Sequence, residues 1–212
     1  MDSTFVQRST ISELLNRSGN LFEQQFKKSE DKDDITKAII ACELAVRQTA
    51  PDNANYEAYV ACLNNLGSSL QRRFDRIGDL SDIESAIFIQ QKALRLTPDG
   101  HSNMAHQLHR LADCFHSRYQ YTENLSDIEN ALSNQQKAVQ LTPDGDPAMS
   151  SRLENLSLFL VARFNYGGVD LSVLESAVSN IQKALQLSPN IPTTLDLLGV
   201  CLHSRFLYSG DL

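Results

Sequence analysis

One phrase recurs four times along this chain, at Leu63-Asn64-Asn65-Leu66-Gly67, Leu108-His109-Arg110-Leu111-Ala112, Leu153-Glu154-Asn155-Leu156-Ser157 and Leu195-Asp196-Leu197-Leu198-Gly199. Successive copies are offset by 45, 45 and 42 residues. A period of about 20 to 50 residues marks a stacked array, in which each unit buries its apolar face only against its neighbours. The repeat therefore overrides the one or two globular domains that 212 residues would otherwise suggest. Arrays of this kind make extended surface for partners rather than one enclosed pocket for chemistry.

Each unit reads as two helices. The first carries large apolar residues at helical spacing, such as Leu63, Leu66 and Leu70, and ends in a basic-aromatic pair: Arg73-Phe74, Arg118-Tyr119, Arg163-Phe164 and Arg205-Phe206. The second opens on Ser81-x-x-Glu84, Ser126-x-x-Glu129 or Ser172-x-x-Glu175, a spacing that predicts a capping box with Ser as the cap. Inside it, Ala86 and Ala93, Ala131 and Ala138, and Ala177 and Ala184 stand seven apart, so both small side chains face one way and admit a close partner helix. Thr97-Pro98-Asp99-Gly100, Thr142-Pro143-Asp144-Gly145 and Ser188-Pro189-Asn190 then stop it, since proline cannot continue the hydrogen-bond ladder. Asp146-Pro147 reopens the next first helix, with Pro at its favoured first position.

A worn unit precedes these, with Phe22, Phe26, Ala38, Ala45 and Pro51 at the places of Leu70, Phe74, Ala86, Ala93 and Pro98, and Thr10-x-x-Glu13 as its expected cap. The reading is thus an N-terminal tail over 1–10 and a single array over 11–212. Its units are about 11–52, 55–99, 101–144 and 147–190, with an incomplete unit over 191–212. The expected architecture is all-α: a right-handed α-solenoid of antiparallel helix pairs with about nine helices. The end at Gly210-Asp211-Leu212 matches Gly78-Asp79-Leu80 and is read as falling inside a repeat of a longer protein.

A large-x-x-large-small first helix, two alanines seven apart and a proline five residues later resemble the tetratricopeptide repeat (TPR). The resemblance covers about residues 11–212 and departs in length. Gly67 to Ala86 is 19 residues where the standard unit has about 12, and Pro98 to Leu108 is 10 where it has about 6. The step from Pro189 to Leu195 returns to 6. The extra segment Asp75-Arg76-Ile77-Gly78-Asp79-Leu80, read as an enlarged turn, resembles the long arrays of fungal proteins that carry a caspase-like CHAT domain. The His and Cys dyad of that domain is not matched by any segment here. Asn64-Asn65-Leu66 also resembles kinesin-light-chain-type repeats.

The family's inner face is lined by first helices, which the resemblance places at Asn64, Asn65, Ser68, Gln71 and Arg72; at His106, His109, Arg110, Asp113, His116 and Ser117; at Glu154, Asn155, Leu158 and Val161; and at Asp196, Leu197, Val200 and His203. That face runs from polar and basic to apolar, which suits an extended peptide with an acidic or polar end and an apolar end. The Lys and Asn clamp of chaperone-tail binders is not reproduced, since Asn64 and Ser68 stand at its first two positions. His109, Asp113 and His116 at i, i+4 and i+7 would put three metal ligands on one face, but one helix seldom closes a coordination sphere, and no metal or cofactor is expected.

Cys114 with His116, and Cys201 with His203, are two apart and point to different sides of a helix, so neither is a nucleophile-base pair. No Gly-rich phosphate loop or paired-carboxylate motif offers another catalytic route. The four cysteines form no CxxC pair and imply no disulfide framework. A net charge of −7 without a concentrated basic face argues against nucleic acid. No run of about 18 uncharged apolar residues predicts a membrane span, and the start lacks a secretory stretch, so the reading is cytoplasmic.

The recurring Arg73, Arg118 and Arg163 accompany Glu84, Glu129 and Glu175, whereas the worn unit has Gln25 and Thr36 at those places, which predicts Arg–Glu pairs. The functional expectation is a non-catalytic scaffold binding a protein or peptide partner, with a separate effector domain elsewhere. The alternatives are a self-associating scaffold joined through its last, unpaired first helix, and the recognition region of a CHAT peptidase.

Overall fold

The computed structural model describes residues 3–49, 56–167, 170–189 and 192–209. Among them are nine α-helices and no strand: α1 Ser3–Ser29, α2 Lys32–Gln48, α3 Tyr56–Ile77, α4 Leu80–Leu96, α5 Met104–Thr122, α6 Leu125–Gln140, α7 Ala148–Gly167, α8 Leu171–Leu187 and α9 Pro192–Ser209. Two compact units result, Met1–His101 and Ser102–Leu212. The first packs α1 on α2, α2 on α3 and α3 on α4; the second packs α5 on α6 and so on in sequence to α9. The molecule is a helical repeat protein. Pro51, Asn190 and Gly210-Asp211-Leu212 lie outside the described residues.

The alanine pairs do what their spacing requires. Ala38, Ala45, Ala86, Ala93, Ala131, Ala138, Ala177 and Ala184 are all fully buried, so the partner helix rests directly on the backbone at two levels. Ile35, Ile83, Ile128 and Leu174, three residues before the first alanine of each pair, fill the space beside them at 0% exposure. Leu66, Leu70 and Phe74 supply the facing side from α3. At Gly67 the helices come closer still: a Cβ there would stand 2.7 Å from Nε2 of Gln90, whose amide donates to the Asn64 carbonyl. The last first helix is less covered, with Leu195 half exposed and Phe206 at 43%.

The junction within each pair differs from the expected enlarged turn. Most of the residues that lengthen the repeat are helical, and in the first three pairs the turn itself is two residues. Glu30, Gly78 and Glu123 take left-handed φ of 54°, 82° and 55°. Each returns its N–H to the carbonyl four residues back, on Phe26, Phe74 and Tyr119, all at 2.7 Å, which closes the first helix. The next residue caps the second. Asp31, Asp79 and Asn124, joined by Asp170, are the N-caps, and their side chains accept from the N–H two residues on. Ser81, Ser126 and Ser172 are therefore inside their helices rather than capping them, because the Asp or Asn two positions earlier already accepts from the serine's own orphan N–H. Thr10 likewise lies within α1, which runs from Ser3.

The Thr-Pro stops hold at the other ends. Thr97 and Thr142 are buried, and their hydroxyls donate back to the Ala93 carbonyl at 3.0 Å and the Ala138 carbonyl at 2.5 Å. Gly100 and Gly145 then turn the chain with φ of 76° and 82°. Asp146 accepts from the Ala148 N–H at 2.8 Å, and α7 opens at Ala148, one residue after the Pro147 expected to begin it.

Candidate functional site

The first helices in each unit carry the residues expected to line a binding face, and the structure divides them into three groups. Three are core. Ser68 is 4% exposed and donates to the Asn64 carbonyl, Val161 is 5% exposed, and His116 is 8% exposed with its ring centroid 4.6 Å from that of Phe159.

A second group bridges one first helix to the next. In the first unit, Asn65 Nδ2 donates to Asn16 Oδ1 at 2.9 Å, and Arg72 Nε donates to Glu23 Oε1 at 2.6 Å. In the second, Asn155 Nδ2 donates to Asp113 Oδ1 at 3.0 Å, whereas His109 Nδ1 meets Gln135 Oε1 at 3.1 Å within its own helix pair, α5 with α6. Arg72 therefore has its charge answered within the fold. Gln71, Arg110, Ser117, Glu154 and Leu197 are half-buried, and Arg110 Nε donates to His106 Nε2.

The third group is open. His106, Leu158, Asp196, Val200 and His203 are exposed. Leu158 and Val200 hold equivalent places on α7 and α9, which pack together, and are 38% and 47% exposed. His116 turns into the core while His109 and Asp113 do not, so that trio is not brought together. No group of three His, Cys, Asp or Glu side chains converges for a metal among the described residues. The four cysteines are buried free thiols, and burial pushes Cys42 up to about 12 and Cys201 up to about 11.

The recurring arginines do pair, but not with the expected glutamates. Arg73 grips Asp82 in a bidentate contact, Nε to Oδ2 at 2.7 Å and Nη2 to Oδ1 at 2.6 Å. Arg118 grips Asp127 in the same way, at 2.9 and 2.6 Å. These carboxylates are buried in the first turn of the second helix, two residues before the glutamate, where the helix faces back toward its partner. Only Arg163 meets a glutamate, and it is Glu129 of the preceding helix pair rather than Glu175. The missed residues had a signal: Asp follows Arg by nine in two units, and in the fourth, one residue longer between Arg163 and its cap Asp170, the matching third place after the cap is Val173.

No family model matches the chain, and no curated protein does. Among solved structures, a de novo designed helical repeat protein, DHR64, is similar at 15% identity over 97% of this chain and 96% of that chain, with a TM-score of 0.46. The DHF79 filament is similar at 12% identity over 91% of this chain and 96% of that chain, with a TM-score of 0.45. The DHF58 filament is similar at 12% identity over 96% of both, with a TM-score of 0.45. Overlaps at this level assign neither family nor function.

Proposed function

We propose that this chain is a non-catalytic, TPR-like interaction scaffold that binds an extended peptide segment of a protein partner across the first helices of its second unit. The observation that carries this reading is the open apolar pair Leu158 and Val200 on adjoining helices α7 and α9. The two residues hold the same repeat position on these helices, where α5 carries Asp113, so the first-helix series turns apolar toward α9. His106 and Arg110 on α5 supply a polar, basic end to the same series of first-helix positions, which matches a peptide that is acidic at one end and apolar at the other.

A random-peptide display selection on the immobilised protein, followed by fluorescence anisotropy on the enriched peptides, tests it. Leu158→Glu with Val200→Glu is expected to abolish binding, Arg110→Glu to weaken it, and Gln136→Glu on exposed α6 surface to leave it unchanged. Enriched peptides that bind the double variant as well as the parent would overturn the reading.

A second reading, self-association, draws on the exposure of Leu195, Phe206 and Leu207 on α9. Concentration-dependent mass in light scattering, lost in Leu207→Glu, is its expected outcome.

A further inference from the structure

In two helix pairs the third residue after the second-helix cap answers the arginine near the end of the first helix. Asp82 fills it after Asp79, and Asp127 after Asn124, each gripping its arginine with two hydrogen bonds. After Asp170 it is Val173, which cannot. Arg163 instead turns its Nε to Glu129, a side chain half exposed to water. Its two terminal nitrogens take no other partner among the described residues. Beside it lies a cavity of about 320 Å³ lined by Leu132, Leu160, Phe164 and Val173 together with Glu129, Arg163 and Asp170.

We propose that this cavity binds a small amphipathic monocarboxylate, with its carboxylate on the Nη1/Nη2 edge of Arg163 and its apolar body against Leu132, Leu160, Phe164 and Val173. The guanidinium presents five N–H donors in a planar fork, so Glu129 at Nε leaves a second bidentate edge that fits a carboxylate. The ligand supplies from outside the carboxylate that the other repeats carry at the Val173 place. The volume lies at the small end of ligand pockets, about 300 to 1,000 Å³, which suits a chain of several carbons rather than a large cofactor. Asp170 is held ionised by hydrogen bonds from the Ser172 hydroxyl and N–H, and Glu129 adds a second negative charge at the site. Two resident carboxylates select for a ligand with a single charge that can rest on Arg163, and against phosphates and dicarboxylates.

Titration of the full chain with octanoate, followed by methyl NMR, tests the proposal. The expected result is saturable one-to-one binding with shifts centred on the Leu132 and Leu160 methyls. Arg163→Gln is expected to weaken binding roughly tenfold or more, the loss of a charged hydrogen-bond pair. Val173→Asp is expected to abolish it by giving Arg163 an internal partner, with the helical circular dichroism retained. The neutral analogue octanol and the dianion suberate are expected to bind more weakly than octanoate. Absence of saturation, shifts centred elsewhere, parent-like affinity in either variant, or suberate or octanol binding as well as octanoate would each overturn it.

Discussion

The imidazole of His116 is 8% exposed against the ring of Phe159, and burial lowers its pKa from about 6.5 to about 4. A folded-state pKa below the unfolded one means that the unfolded chain binds the extra proton. Stability is therefore complete above about pH 6.5, falls as pH drops through the window, and the full penalty is reached below about pH 4. A shift of this size corresponds to on the order of 3 kcal/mol. Urea unfolding at pH 7 and pH 4.5 is expected to show this loss in the parent and a smaller one in His116→Phe. Equal pH dependence in both would contradict the burial. The family resemblance put His116 on the groove, and helical spacing put it on one face with His109 and Asp113. The clue to its true side was Val161, the equivalent residue one repeat on, which is also core. A single imidazole is ambiguous because it is apolar when neutral and polar when charged, and the register of α7 against α5 decides between the two.

Between elements, the Arg–Asp clasps fix where one helix ends and its partner begins. The left-handed residue and the Asp or Asn cap join the two helices of a pair, and the clasp spans that joint from near the end of the first helix to the first turn of the second, so one short stretch sets both the reversal and its angle. Asp127 is 1% exposed, so removing its partner strands a buried carboxylate. Arg118→Ala is expected to cost about 3 kcal/mol, the lower end for broken buried pairs because the arginine itself is partly exposed. A double-mutant cycle is expected to show strong coupling of Arg118 to Asp127 and little to Glu129. The reverse result would restore the partner that sequence recurrence favoured. Recurrence pointed to Glu because it accompanies Arg in three units, whereas Asp accompanies Arg in two; a third, Asp34, holds the same place in the worn unit, where Gln25 stands for the arginine. What recurrence cannot report is that the true partner must stand in the first turn, where the helix begins its return. The capping serines misled for a related reason: Ser81 does bond at the cap, donating its hydroxyl to Asp79, but as a second residue supporting the cap rather than as the cap itself.

At the scale of the whole chain, the repeat made the helices and their buried alanines legible, because period and residue size are both written in one sequence. The binding face was legible only in part. Asn65, Arg72 and Asn155 have the composition of ligand contacts, yet their hydrogen bonds go to Asn16, Glu23 and Asp113, 49, 49 and 42 residues away in the chain. Only the packing of one first helix on another reveals such partners. The Thr-Pro helix ends carry a different consequence. Thr97-Pro98 and Thr142-Pro143 match what proline-directed kinases seek, and a repeat presents that motif again and again. In the folded chain both hydroxyls face inward: each donates to a helix carbonyl, and that of Thr142 also accepts from Arg152 Nη1 at 2.5 Å. A phosphate added there would displace these bonds and set two negative charges in the core. Such a kinase is expected to label Thr142 readily in urea-unfolded chain and not in native chain, by mass spectrometry of matched digests. Modification at these sites would then record that a molecule had unfolded, rather than regulate one that had not.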